Sequence, residues 1–314
     1  GAPRRMNFTG PFFAVLLSTS VIAQDFPAKP VRVVVPFPPG GGADALARLL
    51  GPKLANLWGQ QVIVENKPGA SGHLGADFVA QSPADGYTLL MSSTASLTEK
   101  NVDRFAPVSL VSAAAYVVTA NPRVAAANIG ELIALARANP AKLTFGSSGV
   151  GAASHLSAEL FKSMAQVDML HVPYKGTGQA LTDLLAGQVD LLFAPAQTVL
   201  PHVKAGKLKA LAVTGAKRAE TLPGVPTVAE SGLPGYQAVG WFGLLAPAAT
   251  PRSIVTQLSA DVNSVLAQAE MRAKMMALGA DPGGNTPEEF ARFIREDQAK
   301  WAKLMGEAGI RAAE

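Results

Sequence analysis

The chain contains no cysteine, which removes disulfides, a thiol nucleophile and a lipid-bearing cysteine at the amino terminus from consideration. Charge is scarce as well. Asp, Glu, Lys and Arg make up 16% of the 314 residues, no run of like charges occurs, and the formal net charge is +4. A nucleic-acid-binding chain carries a basic stripe, so the pattern argues against that class. The four histidines, His73, His155, His171 and His202, lack the H-x-x-x-H or H-E-x-x-H spacing of a metal site, and no metal is expected. Long apolar runs are missing with one exception. "GPFFAVLLSTSVIA" (residues 10–23) follows Arg4 and Arg5 and ends in small residues. It falls short of the ~20 apolar residues that a spanning helix needs. Residues 1–23 therefore read as a signal peptide cleaved near Ala23. Loss of Arg4 and Arg5 leaves the mature, exported chain with a net charge near +2.

What is present is a core-forming, alternating chain. Hydrophobic residues account for 48%, which excludes wholesale disorder. "VRVVVPF" and "QVIVEN" have the make-up of strands, and Leu46, Leu49, Leu50, Leu54 and Leu57 between them repeat with helical spacing. Gly51-Pro52 is expected to kink or restart that helix. A third strand ("GYTLLMSS"), a long extended run ("VSLVSAAAYVVTANP") and a helix capped by Asn128, with Glu131 three residues on, come next. Then "LTFGSS" precedes a helix over Ala152–Met164, "MLHVPY" precedes "ALTDLLAG", "VDLLFA" precedes "TVLPHVKAG", and "LKALAVT" follows. This rhythm predicts an α/β fold of mostly parallel sheets flanked by helices. After the strand "VGWFGLLAP" the last third is helical. Its final helix starts at Thr286, with Pro287 in the first turn and Glu289 three residues after the cap. Phe290, Phe293, Ile294, Trp301, Leu304 and Met305 make an apolar stripe that reads as core.

In such sheets ligands sit beyond the carboxyl ends of the strands, and a helix start there offers free N–H groups and a positive dipole end. Gly40, Gly41 and Gly42, with the N–H groups of Ala43 and Asp44, form a candidate anion cradle, because glycine lets a ligand approach the backbone. The Asp44 carboxylate can instead serve as a helix cap. Two similar loops follow other strands: Ser92, Ser93 and Thr94 in "MSSTASL", and Ser147, Ser148 and Gly149 in "FGSSGVGAASH". Together they suit one small polar ligand. An enzyme alternative competes with this reading. "GGGADA" satisfies G-x-G-x-x-A and Glu65 ends the second strand, as in an exported dinucleotide-dependent oxidoreductase. Against it, Pro38 and Pro39 separate the strand from the glycines, and export removes the chain from soluble nicotinamide cofactors. A serine hydrolase fits less well, since Val150 stands where G-x-S-x-G needs its last glycine.

Eight ordered blocks carry a resemblance. They are "VPFPPGGGAD", "VIVENKPGASGHLGAD", "PADGYTLLM", "GSSGVGAASHLSAELFK", "HVPYKGTGQALTDLLAGQVDLLF", "LPHVKAGKLKALAVT", "LPGVPTVAESGLPGY" and "WFGLLAP". They resemble the periplasmic solute receptors of tripartite tricarboxylate transporters, the Bug receptor family. The resemblance implies a two-domain periplasmic binding protein of the Venus-flytrap type, not an enzyme, that needs no cofactor. It also implies a small organic acid as ligand and the permease subunits of a tripartite transporter as partners, with the receptor acting as a monomer and no nucleic acid involved. Carried over by position, the ligand contacts fall on Phe37, Pro39, Gly40, Gly41, Gly42, Ala43 and Asp44, and on Ser93 and Thr94. They continue on Ser147, Ser148, Gly149 and His155, on Tyr174, Lys175 and Thr177, and on Ala194 and Phe242. Two departures stand out: the segment after Thr94 is short for the family, and Ala194-Pro195 stands where an Asp or Asn often follows "LLF". The second points away from an amino-acid ligand. The expected division is residues 24–113 with 242–314 in one lobe and 114–241 in the other, with crossings near Ser112–Tyr116 and Gly240–Gly243.

Overall fold

The computed structural model describes Gly1 and residues 26–309. The expected cleavage point near Ala23 lies outside the described residues. Three short apolar strands, β1 (Val31–Val35), β2 (Val62–Asn66) and β3 (Thr88–Ser92), pair in parallel, with β1 in the middle. Helix α1 (Gly42–Trp58) joins the first two, and α2 (His73–Ala80) joins β2 to β3. The long strand β4 (Phe105–Ala120) follows. After it come α3 (Ile129–Ala138), β5 (Thr144–Ser147), α4 (Ala153–Ala165), β6 (Leu170–Pro173), α5 (Thr177–Ala186), β7 (Leu191–Pro195), α6 (Ala196–Lys204) and β8 (Lys209–Val213). Strand β9 (Val239–Pro247) leads to α7 (Arg252–Leu266), α8 (Ala269–Ala277) and α9 (Pro287–Ala308).

The expectation of mostly parallel sheets is corrected. The strand order is β2-β1-β3-β9-β4-β7-β5-β6, with β8 also on β4. Pairings β1–β2, β1–β3, β5–β6 and β5–β7 are parallel, whereas β3–β9, β4–β9, β4–β7 and β4–β8 are antiparallel. The antiparallel share comes entirely from β4 and β9. Residues 105–115 of β4 pair with β9, and residues 116–120 pair with β7 and β8. One strand thus belongs to both halves of the sheet, and a chain that crosses and returns must pair antiparallel to itself.

Helices cover both faces of each half. On one half, α1, α7 and α8 pack on one side, and α2 with the start of α9 on the other. On the second half, α3 and α4 oppose α5 and α6. Helix α9 spans the two: Phe290 and Ile294 sit in the first half's core, while Trp301 and Leu304 sit in the second half's. Both sequence-marked helix starts are realised. The Asn128 and Thr286 side chains accept from the N–H groups of Glu131 and Glu289, and the Glu289 carboxylate accepts from the Thr286 N–H. Pro52 lies inside α1, which runs unbroken from Gly42 to Trp58, so the helix does not restart there. It forfeits one hydrogen bond to the Arg48 carbonyl, at a cost of ~3 kcal/mol. Burial of Leu46, Leu50 and Leu54 on the same helix outweighs that, at ~1.5–3 kcal/mol each.

One buried carboxylate ties three segments together. Asp297 of α9 accepts from the indole N–H of Trp241 on β9 (2.7 Å), from the indole N–H of Trp301 (2.8 Å) and from the Thr94 hydroxyl (3.2 Å). Burial pushes its carboxyl above the ordinary range, and the three donors only partly offset this. Asp297→Ala leaves two buried indole N–H groups without an acceptor and should cost about 3 kcal/mol. Guanidinium unfolding monitored by circular dichroism checks this; an unchanged midpoint would show that the carboxylate does not hold α9 in place.

Candidate functional site

Three helix starts point at one small cavity between the halves. It is lined at the start of α1 by Gly41, Gly42 and Ala43, at the start of α4 by Ala152 and Ala153, and at the start of α5 by Thr177. Phe37, Pro38, Ser93, Ala95, Tyr116, Ser148 and Phe242 complete the wall. Its volume is about 30 Å³, room for water but not for an organic acid. None of the thirteen lining residues is charged. Nor does a side chain cap α1, α4 or α5; among the described α-helices only α3 and α9, whose starts do not line the cavity, carry side-chain caps. Their first N–H groups therefore remain available, and three positive dipole ends converge on a site without a cation.

The loop before α1 is held from behind. Gly40 has φ 89, a left-handed conformation suited to glycine, and turns the chain into Gly41, the extended N-cap. Asp44 fixes this turn. Its carboxylate accepts from the Gly40 N–H (3.1 Å), the Arg48 Nε–H (3.0 Å) and the Asn66 amide (3.0 Å), and the same Asn66 amide donates to the Phe37 carbonyl. Burial raises the Asp44 carboxyl, but hydrogen bonds from Arg48, Gly40 and Asn66 outweigh it and hold the group below its ordinary value. It stays ionised, neutralised by Arg48.

The second loop is held by a polar cluster. The Ser147 hydroxyl lies 2.6 Å from His171 Nε2, accepts from the Gly149 N–H and donates to the Gly149 carbonyl. The Gly151 N–H donates to His155 Nδ1, and the His155 and His171 rings stack 4.0 Å apart with Phe145 beside them. The Ser148 hydroxyl shares a hydrogen with Ser154.

Of the residues expected at the site, Phe37, Gly41, Gly42, Ala43, Ser93, Ser148, Thr177 and Phe242 line the cavity. The others stand elsewhere. Gly40 and Asp44 shape the first loop, and Ser147, Gly149 and His155 brace the second. Thr94 faces Asp297, and the Tyr174 hydroxyl donates to Asp183. Ala194 is fully buried in the apolar core, while Pro39 and Lys175 are exposed. The lining residues Pro38, Ala95, Tyr116, Ala152 and Ala153 were not expected. The helix-start argument applied to α4 reaches Ala152 and Ala153. Tyr116 has no local signal, because it enters the wall only through the bend of β4 from one half of the sheet to the other. Opposing loops touch around the cavity. A Cβ on Gly176 would stand 2.7 Å from the Pro38 ring, and one on Gly149 would stand 2.5 Å from the Ser71 hydroxyl. Two larger surface grooves, of about 670 Å³ each, gather no comparable set of helix starts, although one of them is lined by Thr94, Val150 and Gly151 from the same loops.

Comparison with known proteins finds a matching family and several relatives. Residues 46–310 match the family described as tripartite tricarboxylate transporter family receptor. Protein BugT of Bordetella pertussis is 35% identical over 320 residues, spanning 98% of this chain and 98% of its own. The solved structure of Rpa4515 from R. palustris with adipate is 36% identical, with a TM-score of 0.87 over 91% of this chain and 99% of that one. MatC (Rpa3494) from Rhodopseudomonas palustris with bound malate is 32% identical, with a TM-score of 0.83 over 89% and 99%.

The stacked histidines give the fold an acid limit. Burial first, then His171 and Lys162, lowers His155 from 6.5 to about 3, and burial with Lys162 lowers His171 to about 4. The unfolded chain binds these protons near pH 6.5. The pair's contribution to stability is thus complete above that pH and is lost as pH falls through about 4 and then about 3. The melting temperature should decline from about pH 6.5 to about pH 4, and the decline should be shallower in His171→Phe, which keeps a stacked ring. Equal slopes in a calorimetric pH series would show that this pair does not set the limit.

Proposed function

The chain belongs to the tripartite tricarboxylate transporter receptor family, and on that premise we propose that it is a periplasmic receptor that captures a small carboxylate between two lobes. It hands this ligand to the permease subunits of a tripartite transporter. One observation carries the reading: three uncapped helix starts converge on a cavity with no charged side chain. An anion there takes its hydrogen bonds from backbone N–H groups and from the hydroxyls of Ser93, Ser148 and Thr177. Adipate and malate, named with two of the structural relatives, are both small dicarboxylates. The dinucleotide alternative lacks such support. Glu65, which it needs for a ribose, is paired with Arg32 at 3.2 Å and Lys67 at 2.7 Å, and the relatives belong to a receptor family.

The lobes in this reading are residues 24–113 with 242–314, and residues 114–241, hinged where β4 and β9 pass together between the halves of the sheet. A cavity of water size admits an organic acid once the loops at Pro38–Gly176 and Ser71–Gly149 part. Helix α9 rides on both lobes and limits how far they separate. Asp44, Ser147, Gly149 and His155 act behind the site as supports of its loops. The receptor works as a monomer after cleavage near Ala23. Intact mass and light scattering of protein from the periplasmic fraction check both points; a full-length mass, or a stable dimer, would contradict them.

Binding is tested by calorimetry and thermal shift with C3–C8 mono- and dicarboxylates. One or a few should stabilise the fold by about 2.7 kcal/mol at a hundredfold excess over Kd, and the acid should be recovered unchanged. A Cβ on Gly42 would stand 2.5 Å from the Gln197 amide and 3.0 Å from the Phe242 ring. Gly42→Ala should therefore weaken binding at least tenfold, and Ser148→Ala should cost about 1 kcal/mol of affinity. Stabilisation by a dinucleotide but by no carboxylate would overturn the proposal.

A further inference from the structure

The chain has four tyrosines, and the hydroxyls of three are engaged. Tyr87 accepts from the Ala28 N–H at 2.9 Å, Tyr174 donates to Asp183 at 2.7 Å, and Tyr236 donates to the Ser157 carbonyl at 2.7 Å. Tyr116 is 7% exposed, yet among the described residues it is bonded through its backbone alone and its hydroxyl has no partner. A buried phenol ordinarily finds one. Three enclosed side-chain atoms also lack a partner: Gln197 Oε1, Thr198 Oγ1 and Thr250 Oγ1. The Tyr116 oxygen is not one of these enclosed atoms, so it opens onto accessible space. Tyr116 lines the cavity between the halves and neither of the larger grooves, which makes that space the cavity.

The sheet puts the phenol there. Gly240 on β9 pairs with Ala114 on β4, so Tyr116, two residues on, shares the face of Gly240 and of Phe242, another lining residue. A Cβ on Gly240 would fall on the Tyr116 ring, 2.5 Å from its hydroxyl oxygen. The glycine thus leaves the floor on which the phenol lies. The Thr214 hydroxyl accepts from the Tyr116 N–H at 2.7 Å and fixes the backbone beneath it. Burial first, and then the negative charge of Asp297, raise the phenol above its ordinary value, so it stays protonated. An ionised carboxylate offers acceptors only, so a protonated phenol that meets one donates to it. We propose, resting on the carboxylate-receptor reading, that Tyr116 is a ligand-binding residue of this site and that its hydroxyl donates a hydrogen bond to a carboxylate oxygen of the bound acid. That bond ties the ligand to β4, the strand that both halves share.

The test is Tyr116→Phe in the mature receptor, which keeps the ring over Gly240 and removes the donor. Calorimetry with propionate, lactate, succinate, malate, glutarate and adipate should show the tightest of these acids weakened about tenfold or more. The ligand-free melting temperature should stay within about 1 °C of wild type, because the hydroxyl has no internal bond to lose. Tyr236→Phe, which loses its bond to the Ser157 carbonyl, should do the reverse: a lower melting temperature and an affinity within about twofold. Adding the acid should also shift the near-ultraviolet tyrosine band of the wild type, and the shift should be missing in Tyr116→Phe. Unchanged affinity in Tyr116→Phe, a band shift that persists in it, or a fall in its ligand-free melting temperature as large as that of Tyr236→Phe overturns the assignment of Tyr116 and leaves the receptor reading intact. Failure of all six acids to bind the wild type would overturn the receptor reading, and this inference with it.

Discussion

The ladder between β4 and β9 is the constraint on which the site depends. Sixteen residues of β4 run from one half of the sheet into the other, and β9 accompanies them over residues 105–115. Hydrogen-bonded strands hold a fixed spacing and register, so the ladder brings the helix starts of the two halves to face each other across one cleft. The two irregularities in the ladder, between Pro107 and Ser109 and between Leu110 and Ser112, add twist where the strand nears the second half. Trp241 sits on β9 at this crossing, and its bond to Asp297 anchors α9 to the same spine. Helix α9 then reaches Trp301 and Leu304 in the second core, so the two halves share strand β4 and helix α9.

The site built on this spine carries positive potential without positive side chains. Each helix end contributes of the order of 0.3–1 kcal/mol toward an anion, more where the geometry is partly buried, and three of them converge here. Backbone donors are fixed by the helices, so no lysine or arginine rotamer has to be ordered when an anion arrives. Charged residues nearby serve the frame instead. Asp44 and Arg48 hold the first loop, and Glu159 lies between Lys162 (3.0 Å) and His155 (3.7 Å) behind the second. The rest of the cavity wall is neutral, with Phe37, Tyr116 and Phe242 among its residues.

Much of this was legible in the residues. The alternation of β-branched and helical segments located the strands, because periodicity records which faces are buried. Asn128 with Glu131 and Thr286 with Glu289 marked two helix starts, because capping is local chemistry between residues three apart. The glycine and hydroxyl loops at the strand ends were legible too, and part of each lines the cavity. Pro52 misled, since its cost is local while the burial of Leu46, Leu50 and Leu54 that outweighs it is not. Thr94 and Ser147 looked like ligand contacts because hydroxyls in a loop carry no sign of direction; one faces Asp297 and the other His171.

The sequence alone therefore determined the elements, their caps and the uncharged, glycine-rich character of the loops, all set within a few residues of chain. Tertiary structure decided what depends on segments far apart. It made the sheet mixed, since only the pairing of β4 with β9, more than a hundred residues later, sets their relative direction. It sorted the loop hydroxyls into those that line the cavity and those that brace it. It also brought Tyr116 to the wall beside Gly42, because side-chain neighbours across a cleft are fixed by how two halves of a sheet meet and leave no trace in local spacing.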